Sequence, residues 1–366
     1  MDNIFVFSAD SHIQEPGDLY LEALPASLKR HALRATRDEK NAILMGTEGN
    51  VIFRMQSVME EFSGIKRKGI RNIEGRLEDM EADGIDAEIC FPQLALWSYA
   101  VTDPEAECAN VQVYNDWCND FLSGHLHRFV RCGVLPVRDF SNTLEELRRV
   151  AAMGFTAAML PSSIPTGVPM YNDPAWDAVF GLAGELGVVL VMHTGTGLEN
   201  VIQERGPGAA VVNYTRQMSD GIDAVTYLVS GGVLDRNPST QVAIIECGAS
   251  WLAALAERMD EVYEAHAHFV QPKLSVQPSE IIRRQVKVSF QHDRACIQSR
   301  NITGTEALMW ASDYPHAEGT FPHSKTIVES LFEGIEISDQ ERADILGGNA
   351  ACLFRLQHPD FVAAVG

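Results

Sequence analysis

The chain has 366 residues, 46% of them hydrophobic and 22% charged, so it can bury a large core and a disordered chain is excluded. Its formal net charge of −21 makes nucleic acid and membrane surfaces poor partners, because both carry negative charge. The N-terminal residues lack the pattern of a signal peptide, and no apolar run is long enough to span a bilayer.

Eight short apolar segments alternate with segments of helical periodicity. The predicted strands lie at 4–9, 87–91, 129–135, 156–160, 188–192, 242–246, 285–290 and 307–312. The predicted helices lie at 104–123, 141–153, 173–187, 213–230, 250–268 and 322–333. Apolar strands separated by helices indicate an α/β fold with a covered parallel sheet, and eight strands predict a (β/α)8 TIM barrel. An open doubly wound sheet is disfavoured, because no strand leads into a glycine-rich phosphate loop.

Residues 13–70 interrupt this alternation. The stretch is polar and carries a basic patch, Lys66, Arg67, Lys68 and Arg71. We interpret it as an inserted loop region with some helix, folding over the barrel mouth as a lid or toward a partner subunit. The basic patch is interpreted as a solvated face in preference to an anion site.

The C-terminal region is predicted to be helical and structural. Ser338 and Glu341 form a capping-box pattern that opens a helix, and Gly347-Gly348 is expected to end it. No second domain boundary is evident, so residues 1–366 are predicted to form a single barrel domain.

Side chains that bind metals follow four of the predicted strands. They are Asp10 and His12 after the first strand, His193 after the fifth, Glu246 after the sixth, and Asp313 with His316 after the eighth. A barrel brings all strand ends to one rim, where barrel enzymes have their active sites. Two imidazoles with carboxylates predict a divalent transition metal, zinc first, with iron or manganese as alternatives and either one or two ions.

These motifs resemble the amidohydrolase-2 branch of the amidohydrolase superfamily, related to aminocarboxymuconate semialdehyde decarboxylase. The similar segments are Asp10-Ser11-His12-Ile13-Gln14-Glu15-Pro16, His193, Ser312-Asp313-Tyr314-Pro315-His316 and Gly348-Asn349-Ala350. The resemblance implies a metal-bearing barrel that hydrolyses acyl bonds or decarboxylates small acids. It also implies Asp10, His12, His193 and Asp313 as metal ligands, with Asp313 able to accept a proton from bound water.

Glu246 departs from the family pattern, because the decarboxylase relatives usually place a histidine at this point. A glutamate there can act as a general base, bind a metal ion or bridge two, or orient a ligand from outside the coordination sphere. The departure is the reason to expect a hydrolase before a decarboxylase.

The remaining candidates are side chains in loops that follow strands. His316 is predicted to be catalytic through contact with substrate or Asp313. His292, Trp97 and Trp251 are predicted to contact substrate, with ordinary loop or packing roles as the alternative.

The leading functional prediction is a metal-dependent hydrolase, in which a metal-activated water attacks an amide, ester, thioester or lactone carbonyl of a small substrate. The alternative is a metal-dependent non-oxidative decarboxylase of an aromatic or unsaturated acid. A non-catalytic barrel is disfavoured because every predicted ligand position is intact. The seven scattered cysteines predict buried, reduced thiols and a cytoplasmic protein, and we expect a homodimer.

Overall fold

The computed structural model describes residues 4–55, 66–198 and 202–358. Its strands are β1 (Phe7–Ser8), β2 (Arg34–Arg37), β3 (Ile43–Thr47), β4 (Asn50–Met55), β5 (Ala87–Cys90), β6 (Phe129–Val134), β7 (Ala157–Pro161), β8 (Val189–His193), β9 (Val242–Ile245), β10 (Val286–Phe290) and β11 (Leu308–Trp310). One eight-stranded sheet has the order β1-β5-β6-β7-β8-β9-β10-β11, with parallel neighbours throughout. The amide of Ala9 donates to the carbonyl of Trp310 at 3.0 Å and joins the first strand to the last. The predicted (β/α)8 TIM barrel and its eight strands are confirmed.

Helices surround the barrel. They are α1 (Leu19–Ala23), α2 (Ile73–Asp83), α3 (Pro104–Leu122), α4 (Phe140–Ala152), α5 (Asp177–Leu186), α6 (Ala209–Ser230), α7 (Val233–Arg236), α8 (Trp251–Ala265), α9 (Pro278–Gln285), α10 (Arg294–Gln298), α11 (Arg300–Thr303), α12 (Ser324–Phe332), α13 (Asp339–Ala343) and α14 (Asn349–Leu353). Local sequence fixes several ends: Asp103 caps α3 before Pro104, and Gly84 ends α2 in the left-handed region at φ 79°. Because helices cover the sheet, strands such as β6 and β8 are buried along their whole length.

The inserted segment holds more regular structure than predicted. Strands β2, β3 and β4 form a separate antiparallel sheet, where only loop and some helix were expected. The turn between β3 and β4 contains Gly49 at φ 75°, a conformation that glycine adopts without strain. Short strands with mixed polar and apolar residues give a weak periodic signal, which is why the pattern missed them. Residues 56–65 of the predicted insertion lie outside the described residues.

The C-terminal prediction is correct at its start and wrong at its end. The Ser338–Glu341 capping box is present, with Ser338 N–H donating to Glu341 Oε2 at 3.0 Å. Gly347-Gly348 does not stop the helix, which continues through a π-helical turn, Asp344–Gly348, into α14. A β-carbon on Gly347 would lie 2.4 Å from the carbonyl oxygen of Phe5. This glycine therefore serves close packing against the chain entering β1, not termination.

All seven cysteines are free thiols, as predicted, but they are not all buried, since Cys108 is half-buried and Cys352 is exposed. In the part of the chain that the structure describes, no helix is long and apolar enough to cross a membrane. The homodimer and the cytoplasmic location stay predictions.

Candidate metal centre

The barrel rim brings the predicted ligands together. His193 is the last residue of β8 and is paired in register with Pro161 and Ile245 on the neighbouring strands. Glu246 follows β9 directly and Asp313 lies three residues after the end of β11, and both have left-handed backbones, at φ 60° and 54°. Such conformations are unusual for non-glycine residues and cluster at functional sites.

Interatomic distances in the cluster match the spacing of ligands around one ion. His12 Nε2 lies 3.5 Å from Asp10 Oδ1 and 3.6 Å from Asp313 Oδ1. His193 Nε2 lies 3.6 Å from Asp10 Oδ1 and 3.5 Å from Glu246 Oε2. Ligand atoms about 2.1 Å from a tetrahedral ion are separated by roughly 3.4 Å. These gaps are long for hydrogen bonds and suitable for a bound cation.

The atoms that face one another are buried without hydrogen-bond partners among the described residues. They are both carboxylate oxygens of Asp10, Nε2 of His12, Nε2 of His193 and Oδ2 of Asp313. Buried polar atoms are almost always satisfied, since an unsatisfied one costs about 1–3 kcal/mol. Several orphans converging on one point therefore fit a divalent ion that would satisfy all of them.

Hydrogen bonds to the backbone orient both imidazoles. Nδ1 of His12 lies 3.0 Å from the carbonyl oxygen of Pro92, and Nδ1 of His193 lies 3.0 Å from that of Thr194. Because a carbonyl only accepts, each Nδ1 carries the proton and donates it. The lone pair of each Nε2 is thereby directed into the cluster, which is the usual arrangement of a metal-binding histidine.

The electrostatics of the cluster also favour binding of a positive charge. Burial and the neighbouring Asp313 carboxylate raise the pKa of Glu246 well above its ordinary value. Burial and Asp10 do the same for the pKa of Asp313. Burial, together with His316 and His193, lowers the pKa of His12 well below its ordinary value. A cation would relieve the repulsion among the carboxylates.

The ligand-type groups form a single site. One set comprises Asp10, His12, His193 and Glu246, and another comprises His12, Glu246, Asp313 and His316, with the ligand atoms of each set within 4.8 Å of one another. Both sets share His12 and Glu246, so the two overlap in space.

Gln93 contacts the cluster through His316, and the sequence analysis did not identify Gln93. His316 Nδ1 lies 2.8 Å from Asp313 Oδ1, and Gln93 Nε2 lies 3.0 Å from His316 Nε2. An ionised Asp313 only accepts, so His316 donates from Nδ1 and accepts from Gln93 at Nε2. Gln93 follows β5 in an apolar stretch without a recognisable motif, so no sequence signal marked it.

Glu15 holds the loop that contains Gln93. Its buried carboxylate accepts from the amides of Gln93, Leu94 and Ala95 at 2.8–3.1 Å and from the hydroxyl of Tyr20 at 2.9 Å. With its oxygens engaged by these donors, Glu15 supports the loop.

A cavity of about 1080 Å³ opens onto one side of the cluster. His193, Glu246 and His316 line it, whereas the other three ligand-type residues lie beneath the wall. Trp97, one of the predicted substrate contacts, also lines the cavity and stacks on Phe53 with ring centroids 5.3 Å apart.

The structure places the other two predicted substrate contacts elsewhere. Trp251 is buried, and its indole N–H donates to the carbonyls of Cys247 and Gly248 at 3.0 and 2.8 Å. His292 is exposed, with Nε2 3.2 Å from the carbonyl oxygen of Glu318. Neither side chain is among the described residues that line the cavity. Both residues follow strands, but the backbone after those strands directs their side chains away from the cavity.

The basic patch is not simply a solvated face. Arg67, Lys68 and Arg71 line the same cavity as His193 and Glu246. Lys68 also forms an ion pair with Glu78 at 2.6 Å. Part of the inserted segment thus forms a wall of the cavity, although its function as a lid stays a prediction.

Comparisons with known proteins agree on the type of barrel. A family model described as amidohydrolase matches residues 29–356. The 2-amino-3-carboxymuconate-6-semialdehyde decarboxylase of Dictyostelium discoideum is 23% identical over 278 residues, 75% of this chain and 74% of that protein.

Solved structures show the same fold. An amidohydrolase from Mycobacterium avium subsp. paratuberculosis K-10 has a TM-score of 0.79 at 19% identity, over 96% of this chain and 99% of that one. The 5-carboxyvanillate decarboxylase of Novosphingobium aromaticivorans, solved with manganese and 4-hydroxy-3-methoxy-5-nitrobenzoic acid, has a TM-score of 0.70 at 18% identity, over 97% of each chain.

These relatives correct one prediction from the sequence. Hydrolysis was the leading prediction and is wrong, since the relatives that are named by a specific substrate are decarboxylases. The physical reason is that the same ligands serve both reactions: an ion can activate water or bind substrate oxygens. Glu246 was therefore not sufficient evidence against decarboxylation.

Proposed function

Because this chain belongs to the amidohydrolase family, we propose that it is a metal-dependent non-oxidative decarboxylase of an aromatic or unsaturated carboxylic acid. The observation that carries the proposal is the set of buried, unsatisfied ligand atoms at the rim, next to a cavity large enough for an organic acid. The decarboxylase relatives support the type of reaction.

In this proposal Asp10, His12, His193 and Asp313 hold one divalent ion. One ion is preferred over two, because the two sets of ligand-type groups share His12 and Glu246 and so are not two separate sites. Manganese is the first candidate, since it is the ion in a related structure, and zinc is the second. When bound, the ion would polarise substrate oxygens and so stabilise the negative charge that develops on the substrate as carbon dioxide leaves.

Two side chains on the cavity wall are the candidates for proton transfer. In the reaction the bond between the carboxylate and its carbon breaks, the electron pair stays on that carbon, and a proton forms the new C–H bond. Glu246 and His316 both line the cavity beside the ligands. Since Gln93 occupies Nε2 of His316 and Asp313 occupies Nδ1, we propose Glu246 as the group that delivers the proton.

The test is direct. The purified protein, loaded with manganese or zinc and analysed for metal content, is incubated in D2O with hydroxybenzoates that carry a carboxylate beside a hydroxyl. We expect release of carbon dioxide and one deuterium at the vacated ring carbon. Matched esters and lactones serve as hydrolysis substrates, and their turnover without carbon dioxide release from any acid would refute the proposal.

A further inference from the structure

The cavity is larger than a single-ring acid requires. Pockets for drug-sized ligands usually measure about 300–1,000 Å³. The cavity beside His193 and Glu246 measures about 1080 Å³, at the upper end of that range. A benzoate bound at the rim would leave most of this space unfilled, so it would bury little of the available wall.

The wall made by the inserted sheet is apolar. Ile43 and Met45 on β3 and Phe53 on β4 line the cavity from this side. Phe53 stacks on Trp97, with an angle of 12° between the ring planes. The polar lining next to the ligands is provided by different elements, the ends of β8 and β9 and the loop after β11. The cavity thus combines a polar reacting end with an aromatic and aliphatic wall.

The stacked pair offers a surface for a flat apolar group. Both rings are only partly buried, so their remaining surface is accessible to a ligand. Burying apolar area is favourable in proportion to that area, and aromatic rings prefer offset or edge-to-face contacts with other rings. A ligand with a second or third ring would bury this surface, whereas a single-ring acid held at the rim would contact less of it.

We infer, on the basis of the proposed function, that the substrate is a carboxylic acid carrying a bulky apolar ring system. Its carboxylate end lies at the metal centre and its apolar part lies against Phe53, Trp97 and Met45. This assigns substrate selection to β3 and β4 of the inserted sheet, apart from the residues that carry out the reaction.

The experiment compares two acids with the same reacting group. Metal-loaded protein is assayed with 2-hydroxybenzoate and with a hydroxynaphthoate that adds a fused ring, and carbon dioxide release is measured. We expect kcat/KM to be ~10–100-fold higher for the larger acid, mostly through KM, because the added ring is bound equally in ground and transition states.

A matched pair of variants tests the wall itself. Phe53→Ala should lower kcat/KM for the naphthoate by ~10-fold and change that for the benzoate little. Val51→Ala is the control, since Val51 lies on the same strand, is 54% exposed and does not line the cavity. Equal kcat/KM for the two acids, or an equal loss for both in Phe53→Ala, would overturn the inference.

The two levels of the proposal fail differently. Turnover of the benzoate with no gain for the naphthoate refutes the substrate inference and retains the decarboxylase. A different result would be binding of the naphthoate by calorimetry, weakened in Phe53→Ala, with no carbon dioxide released from either acid. That result refutes the decarboxylase and retains the inference that the apolar wall binds a larger ring system. If the naphthoate does not bind and neither acid releases carbon dioxide, both the decarboxylase and the substrate inference are refuted.

Discussion

Two buried clusters meet at the loop after β5: the metal cluster around Asp10, and the Glu15 cluster, which consists of Glu15 and its four hydrogen-bond donors. Glu15 is fully buried and accepts hydrogen bonds from three backbone amides and a tyrosine hydroxyl. Asp10 is equally buried, five residues earlier, and neither of its carboxylate oxygens has a hydrogen-bond partner among the described residues. The two carboxyl groups are equally buried and chemically alike, and they differ in whether their oxygens accept hydrogen bonds. This difference distinguishes a carboxylate that supports a loop from one whose unsatisfied oxygens indicate a ligand site.

The largest expected effect is loss of the metal. His193→Ala removes one Nε2 from the cluster, and we expect metal content to fall below half and kcat/KM to fall by ~1000-fold or more. Elemental analysis and the carbon dioxide assay measure both. His292→Ala, at an exposed histidine outside the cavity, is the control. Full metal content in His193→Ala would remove the distinction between the two clusters.

Glu246→Gln tests whether Glu246 transfers a proton or binds a metal ion. The change keeps the shape and removes the proton, so we expect kcat to fall by ~100-fold. With a single ion held by the other four residues, metal content stays near normal. A loss of half of two bound ions would instead assign Glu246 to a second metal.

Glu15→Gln examines the satisfied cluster. The amide presents a donor to backbone N–H groups that need an acceptor, so we expect the free energy of unfolding to fall by about 2–3 kcal/mol. Metal content of the folded protein should be unchanged. Denaturant unfolding and elemental analysis give the two values. Loss of metal with normal stability would show that Glu15 contributes to metal binding and not to support of the loop.

Gln93→Leu breaks the link between the clusters. Without the amide at Nε2, His316 is no longer held in one tautomer against Asp313, and we expect kcat to fall by ~10-fold with metal content unchanged. The ¹⁵N shifts of the His316 ring should also change, which a purely structural role would not produce. Gln298→Leu, an exposed glutamine on α10, is the control and should alter neither quantity.

Glu107 is an intermediate case and gives the smallest effect. One oxygen accepts from the amides of Val137 and Arg138, while the other has no partner in the described part of the chain. Burial raises its pKa to about 7. The folded state therefore binds a proton that the unfolded state has lost, and the stability this provides below pH 4.5 disappears as pH rises through about 7.

The matching variant is Glu107→Gln. It should remove a slope of about 1 kcal/mol per pH unit between pH 5 and 7 in the free energy of unfolding. Urea titrations at several pH values measure that slope. Parallel pH profiles for the variant and the unchanged protein would show that Glu107 does not titrate in this range.

The barrel and the positions of the ligand-type residues could be predicted from local sequence alone. Both depend on local patterns: buried parallel strands are continuously apolar, and a polar residue directly after such a strand lies at the rim of any barrel. The sequence therefore predicted that Asp10, His12, His193 and Asp313 would meet, without a single long-range contact being known.

Which neighbouring side chains share the cavity depends on long-range contacts and could not be predicted. Trp97 and Trp251 both follow strands, yet one lines the wall and the other donates its N–H to the backbone of its own loop. The inserted sheet has only a weak periodic signal and Gln93 has none, and the place of Gln93 depends on hydrogen bonds to Glu15 and His316, which lie 78 and 223 residues away in the chain. Those contacts exist only after the barrel closes, so local sequence can place a residue at the rim but not fix what its side chain faces.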